Sequence, residues 1–312
     1  MNSYCTYFDK NYLSRFLVLR NSINKFKKKN TYYVLYLDEY VKNFFQKKNF
    51  KDIILISLDE VEKKYKKLIK AKSNRSLIEY YFTLSPFLPR YIYENFKISK
   101  ISYLDADLFF FQNPEKLISQ VDDSSVILIK QESKPIYGNF NVGWIIFNFN
   151  HSETKQIVNK WSNQCLNSCT DFPDVTSDVY ADQKYLDSWP KKLKKLKILY
   201  PEYSCLSPWD NNEAIEKNIE SMITYHFHGL SMEEKKYSTG FYQFNKKPTK
   251  KILNNIYLPY IRDLNYFEKK YNLSSGSIRN SSKNSVQNTL RLLRSKLKKF
   301  IFNDEYNFSI GI

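Results

Sequence analysis

Over residues 3–107, apolar runs alternate with segments of helical spacing, and that order is the strongest constraint on the fold. SYCTYFD (3–9), TYYVLYLD (31–38), DIILISL (52–58) and ISYLDAD (101–107) read as strands. Between them, residues 11–26 set Leu13, Phe16, Leu17 and Ile23 at helical spacing. Residues 39–47 read as a short helix, and residues 75–96 as a helix interrupted around Pro86 and Pro89. Strand–helix alternation of this kind implies an α/β fold, a largely parallel sheet with helices on both faces. Farther along, residues 124–131 and 141–149 read as strands. Residues 152–166 read as a helix with Ser152 as its cap, and residues 223–229 as a short strand. The chain has 6 Gly and contains neither a GxGxxG nor a P-loop.

A chain of 312 residues with 42% hydrophobic content is able to bury a full core. No apolar run reaches the roughly 18 residues that a membrane span needs, and the N-terminus MNSYCTYFDK lacks an apolar signal core. The expected location is therefore the cytosol. The four cysteines, Cys5, Cys165, Cys169 and Cys205, are expected to be reduced and structural. Formal charge is uneven: +7 on residues 269–312 against +10 on residues 1–268. The expected organisation is one α/β domain over 1–268, a polar linker over 269–285 and a basic amphipathic helical tail over 286–312. In that tail Val286, Leu290, Leu293, Leu297, Phe300 and Ile301 share one helical face. Arg291, Arg294, Lys296, Lys298 and Lys299 lie outside it, the pattern of a helix lying on an anionic membrane surface, peripheral to the membrane.

Two carboxylates, Asp105 and Asp107, end the fourth strand against the apolar run Leu108, Phe109, Phe110 and Phe111. Residues two apart in extended chain point to one side. At the carboxyl end of a parallel strand that side faces the crevice where such sheets bind ligands. Two such carboxylates repel each other unless a cation sits with them, and a hard divalent ion held this way also takes phosphate oxygens. YHFHG supplies His226 and His228, either of which suits such an ion, whereas His151 reads as structural. Lys235 and Lys236 follow and read first as a solvated pair.

These motifs resemble the nucleotide-sugar-dependent glycosyltransferases of GT-A fold, with a Rossmann-like, mostly parallel sheet. The ordered segments are YCTYFDKNYL (4–13), RSLIEYYFTLSPFLP (75–89), YLDADLFFFQNPE (103–115), YGNFNVGWIIFN (137–148), ADQKYLDSWP (181–190), LSPWDN (206–211) and YHFHG (225–229). More distantly, D-x-D, F-N-x-G, D-Q and H-F-x-G resemble the retaining family that includes glycogenin and bacterial galactosyltransferases. The resemblance implies that Asp105 and Asp107 hold Mn²⁺ or Mg²⁺, with His226 or His228 as the third ligand. It implies that Tyr7, Asp9 and Tyr12 border the nucleobase and that Arg75 approaches the diphosphate. Asn141 would touch the donor sugar, and Asp182 and Gln183 would lie beside its anomeric carbon as catalytic residues. Where the related pattern often has Ala, this chain has Val142.

The expected activity is metal-dependent transfer of a sugar from a nucleotide diphosphate donor, UDP-sugar by resemblance, to a bacterial surface glycan or lipid-linked acceptor such as a lipopolysaccharide precursor. Retention of configuration is the preferred outcome. A nucleotide-sugar hydrolase or nucleotidyltransferase is an alternative, but residues 1–30 hold no glycine for a triphosphate loop. A non-catalytic nucleic-acid-binding protein is the other alternative. It needs basic and aromatic residues clustered on one face, whereas the lysines of the body are spread out, and no nucleic acid is expected as partner.

Overall fold

The computed structural model describes residues 2–174, 176–233, 236–273 and 285–307. In chain order its strands are β1 (Asn2–Phe8), β2 (Asn30–Tyr36), β3 (Ile53–Ser57), β4 (Lys100–Leu104), β5 (Leu108–Phe110), β6 (Val126–Lys130), β7 (Phe140–Asn148), β8 (Leu196–Leu199), β9 (Cys205–Leu206), β10 (Thr224–His226), β11 (Ser231–Glu233), β12 (Lys236–Ser238) and β13 (Tyr306–Asn307). The chain divides into two compact units.

The first unit comprises Met1–Lys10, Phe26–Asp105 and Pro114–Pro201. Its seven-stranded sheet runs β3-β2-β1-β4-β7-β6-β8. Neighbours are parallel except where β7 lies antiparallel to β4 and β6. The expected α/β class and largely parallel sheet are therefore present. Every residue of β7 is buried, which is why FNVGWIIFN reads as a continuous apolar run rather than an alternating one. Strands β1 and β4 are parallel neighbours, with Cys5 opposite Tyr103, so Asp9 and Asp105 follow carboxyl ends that point the same way.

The helices of this unit start where the sequence supplies caps. Asp38 Oδ1 accepts from the Val41 amide at 2.9 Å, and Ser76 with Glu79 forms a capping box. The expected interruption of residues 75–96 is real: one helix spans Leu77–Leu84 and a second, capped by Pro86, spans Phe87–Phe96. Proline cannot donate the amide that a continuous helix needs. Ser152, expected as a cap, is instead the first residue of the helix Ser152–Asn167, and His151 holds the cap position without a side-chain hydrogen bond. Thr154 Oγ1 ties that first turn to the Asn148 carbonyl at 2.8 Å.

The second unit comprises Asn11–Lys25, Ala106–Asn113 and Glu202–Ile312. The helix Leu13–Asn24 packs on the helix Leu258–Tyr271 and on β5. Strand β10 pairs antiparallel with β5 and parallel with β9. Tyr260 stacks on Phe227 with centroids 3.8 Å apart, beneath this small sheet. In the apolar run that follows the aspartates, Phe109 and Phe110 are 6% and 0% exposed and belong to β5, whereas Phe111 is half-buried.

Residues 274–284, most of the expected linker, lie outside the described residues. The tail forms the helix Ser285–Phe302 and is fastened at its far end. Strand β13 pairs with β12, and the buried Asp304 carboxylate accepts from Thr239 Oγ1 and from the amides of Thr239, Gly240 and Tyr242. Gly240 is required there: its φ is +88°, and a Cβ would meet the His228 carbonyl oxygen at 2.5 Å.

Candidate functional site

Antiparallel register brings two of the expected ligands together. His226, the last residue of β10, sits opposite Leu108, which places it beside Asp107. The Phe227 amide donates to the Asp107 carbonyl at 3.0 Å and fixes this approach. His226 Nε2 lies 3.1 Å from Asp107 Oδ1, and both side chains are buried. Asp105, Asp107 and His226 each offer a ligand atom, and these atoms all lie within 4.8 Å of one another. Two carboxylates and one imidazole at that spacing fit a divalent cation with oxygen-rich coordination. Among the described residues, His228 does not join this cluster. It lies beyond the end of β10 and is exposed, its ring edge-on to Trp209 at 5.5 Å.

The Asp107 carboxylate has a second neighbour that the sequence reading missed. Arg15, 2% exposed, lies on the helix Leu13–Asn24 with Nη1 4.0 Å from Asp107 Oδ2. Its Nη2 donates to the Leu230 carbonyl at 2.6 Å, and the guanidinium lies 4.7 Å from the Tyr12 ring centroid. Burial alone would raise the Asp107 pKa, but His226 and Arg15 outweigh it and hold the carboxyl below the usual carboxylate range. A signal for Arg15 exists in the sequence. It is a charge amid the buried positions Leu13, Phe16, Leu17 and Leu19, and buried charge there requires a partner.

In the first unit a different arrangement surrounds Asp182, which is 5% exposed. The Ser85 hydroxyl lies close enough to Asp182 to favour its ionised form, and Tyr7 Oη lies 3.0 Å from Ser85 Oγ. The Tyr103 hydroxyl donates to Asp105 Oδ1 at 3.0 Å, and the Tyr7 and Tyr103 ring centroids lie 6.0 Å apart. Burial, with the Asp105 charge adding to it, pushes the Asp182 carboxyl up to about 7. Ser85 and Tyr103 were not singled out by sequence, because a hydroxyl in a strand or at a helix break carries no pattern of its own.

The other expected site residues divide. Asn141 is buried on β7, its Oδ1 accepting from the Gly143 amide at 2.7 Å, and the Gly143 carbonyl accepts from the Asp105 amide at 2.9 Å. Asp9 is buried at the end of β1. Tyr12 lies in the second unit against Arg15. Gln183 donates to the Tyr137 carbonyl at 2.7 Å. Arg75 is engaged elsewhere: its guanidinium donates to Thr83 Oγ1 and to the carbonyls of Cys165 and Leu166, at the end of the helix Ser152–Asn167. An arginine there complements helix-terminal carbonyls. All four cysteines are buried and none forms a disulfide. Lys236 pairs with Glu305 at 3.5 Å between exposed side chains, and Lys235 lies outside the described residues.

A mostly parallel sheet with flanking helices, and two aspartates at the end of its central β4, define the GT-A class of fold. Two solved structures share it with this chain. Mouse xyloside xylosyltransferase 1 superposes with a TM-score of 0.50 at 13% identity, over 73% of this chain and 98% of that one. The bifunctional glycosyltransferase WbbM superposes with a TM-score of 0.53 at 12% identity, over 88% of this chain and 52% of that one. In sequence the chain is 28% identical over 250 residues to the uncharacterized protein YfnD of Bacillus subtilis, covering 74% of this chain and 78% of that protein. No protein-family model matches.

Proposed function

We propose that the chain is a metal-dependent glycosyltransferase that moves a sugar from a nucleotide diphosphate donor, UDP-sugar first, to an acceptor alcohol. The supporting observation is the cluster of Asp105, Asp107 and His226 on this fold. Those three residues would hold Mn²⁺ or Mg²⁺, and the imidazole favours the softer Mn²⁺. A bound divalent ion supplies Lewis-acid stabilisation of the leaving diphosphate. Asp9, with Tyr7 near it and Tyr12, is assigned to the nucleobase side. Asn141, Asp182 and Gln183 are assigned to the sugar side. Asp182 is buried among hydroxyls, so it exchanges a proton near neutral pH and suits either orientation of the acceptor hydroxyl or stabilisation of developing positive charge on the sugar. Arg75 reaches the diphosphate only by leaving the carbonyls that now hold it. Retention of configuration remains the preferred outcome.

A panel of nucleotide sugars incubated with Mn²⁺ or Mg²⁺, read as slow release of free nucleoside diphosphate, tests this reading. Release that needs the metal and stops with EDTA supports it. No release from any donor, or release indifferent to EDTA, overturns it.

We further assign the acceptor to a bacterial surface glycan or its lipid-linked precursor, approached from the inner face of the membrane. Support comes from the tail. Leu293, Leu297, Phe300 and Ile301 are 59%, 59%, 84% and 59% exposed. Described side chains of this helix begin at Leu293. Lys299, expected on the polar face, instead turns inward over the Tyr242 ring and toward Ser231 Oγ at 3.4 Å. Exposed apolar side chains with Arg294 and Lys296 beside them suit an anionic interface. No helix among the described residues is long and apolar enough to cross a membrane. Replacing Leu293, Leu297, Phe300 and Ile301 by Gln should abolish sedimentation with anionic liposomes while donor hydrolysis continues. Unchanged sedimentation would reject the assignment. This design is preferable to cutting the tail away, since Asp304 holds residues 238–242.

A further inference from the structure

We propose that Arg15 makes metal binding conditional on the diphosphate, so that cation and nucleotide enter as a coupled pair. This rests on the metal–nucleotide reading above and adds a residue and a binding order to it. The helix Leu13–Asn24 buries an always-charged guanidinium at a cost of desolvation. Around it lie Tyr12, Tyr260, Asp107 and Glu268. Only Nη2 makes a hydrogen bond, to Leu230, while Nε and Nη1 are buried without a protein acceptor. Asp107 Oδ2, at 4.0 Å from Nη1, balances the charge without forming a hydrogen bond.

Those unused donors determine what the site favours. A divalent cation placed on Asp107 draws on the same negative charge that now balances Arg15, and two like charges then face each other in a buried setting. Metal alone is therefore held less tightly than Asp105 and Asp107 would hold it without the guanidinium. A diphosphate reverses the sign, because it brings negative charge for both cations and oxyanion acceptors for the spare N–H groups. Coupling of this kind is reciprocal, so nucleotide also binds better with metal than without it. Arg15 is then a positioning and coupling residue acting through Asp107 and the phosphate. A residue with a purely structural role would not change the difference between the two metal affinities.

The test is Mn²⁺ binding, followed by the electron paramagnetic resonance of free Mn²⁺, with and without UDP, on full-length protein. Wild type should bind Mn²⁺ at least about tenfold more tightly when UDP is present. Arg15→Met should bind Mn²⁺ alone about tenfold more tightly than wild type and lose most of the gain from UDP. Arg15→Lys, which keeps the charge without the planar fork, should retain weak binding of Mn²⁺ alone and part of the gain. If Arg15→Met does not melt cooperatively, Arg15→Gln takes its place. Wild type with equal Mn²⁺ affinity in both conditions, or a neutral variant whose two affinities are unchanged or fall by the same factor, overturns the inference. Folded wild type that binds no Mn²⁺ even with UDP overturns the glycosyltransferase reading itself, a separate and recognisable failure.

Discussion

Two buried carboxylates, Asp107 in the second unit and Asp182 in the first, are driven in opposite directions. Both are nearly shielded from water, and burial opposes ionisation of each. Asp107 faces His226 and Arg15 and is held ionised. Asp182 faces the Ser85 hydroxyl, with the Asp105 charge nearby, and its carboxyl is pushed up to about 7. Neighbouring charge, not depth of burial, separates them. An ionised carboxylate suits cation binding, and one that titrates near neutrality suits proton chemistry. The two carboxylates thus differ in ionisation, a difference that their motifs alone do not show.

Breaking the Asp107 side should have the largest effect. Asp107→Asn removes the charge and keeps the shape, and metal-dependent donor turnover should fall on the order of 10³-fold, the loss of several kcal/mol of Lewis-acid stabilisation. Either neutral variant leaves the buried Arg15 without its counter-charge, at roughly 3 kcal/mol in stability, and Asp107→Ala is the poorer choice because it also empties the space beside His226 and Arg15. Turnover of Asp107→Asn within tenfold of wild type would remove Asp107 from the metal shell.

The Asp182 side comes next. Asp182→Asn should lower kcat by roughly 10²-fold while leaving nucleoside diphosphate affinity nearly unchanged. Tight-binding loss with a normal kcat would move Asp182 from the sugar to the nucleotide.

How far all this was legible in the sequence differs between the same two regions. The aspartates that follow β4, and β1 itself, announce themselves, because apolar runs act locally. The pairing of β10 with β5 does not: Thr224 and Phe110 are 114 positions apart, and only the register makes His226 a neighbour of Asp107. That His226 rather than His228 joins Asp105 and Asp107 depends on that register. Arg75, expected to open its helix, instead precedes the Ser76 cap, and the carbonyls it meets belong to a helix some 90 residues on. The tail's apolar stripe was visible, whereas the inward turn of Lys299 and the anchoring of Asp304 depend on long-range partners.

The contrast also fixes the sign of a pH dependence in the metal-free protein. Asp107, with its folded pKa depressed, contributes stability that is present above the unfolded value of about 4 and lost as pH falls through the folded one. Asp182, with its folded pKa raised to about 7, contributes stability that is full below about 4 and lost as pH rises toward 7. Its share is at most about 4 kcal/mol across that window, as an upper bound for a buried group. Urea denaturation in EDTA should therefore show stability falling between pH 4 and 7 in wild type, with a flatter profile in Asp182→Asn. Parallel profiles would mean that Asp182 ionises normally.

The smallest effect should come from Ser85, whose hydroxyl lies between Tyr7 and Asp182. A hydroxyl donating to a carboxylate favours its charged form. Ser85→Ala removes that donor from a buried acid and leaves Tyr7 without this partner. The Asp182 pKa should then rise further, and the pH at which stability is lost should move upward by less than about one unit, since one hydrogen bond is worth about 1 kcal/mol. Turnover below pH 7 should change by only a few-fold, because the metal cluster is untouched. The measurement is the midpoint of the stability-versus-pH curve for Ser85→Ala against wild type, with Ser85→Thr as the variant that keeps the hydroxyl. A downward shift in Ser85→Ala, or an equal upward shift in both variants, would mean that Ser85 acts by filling space at the helix break before Pro86 rather than by tuning Asp182.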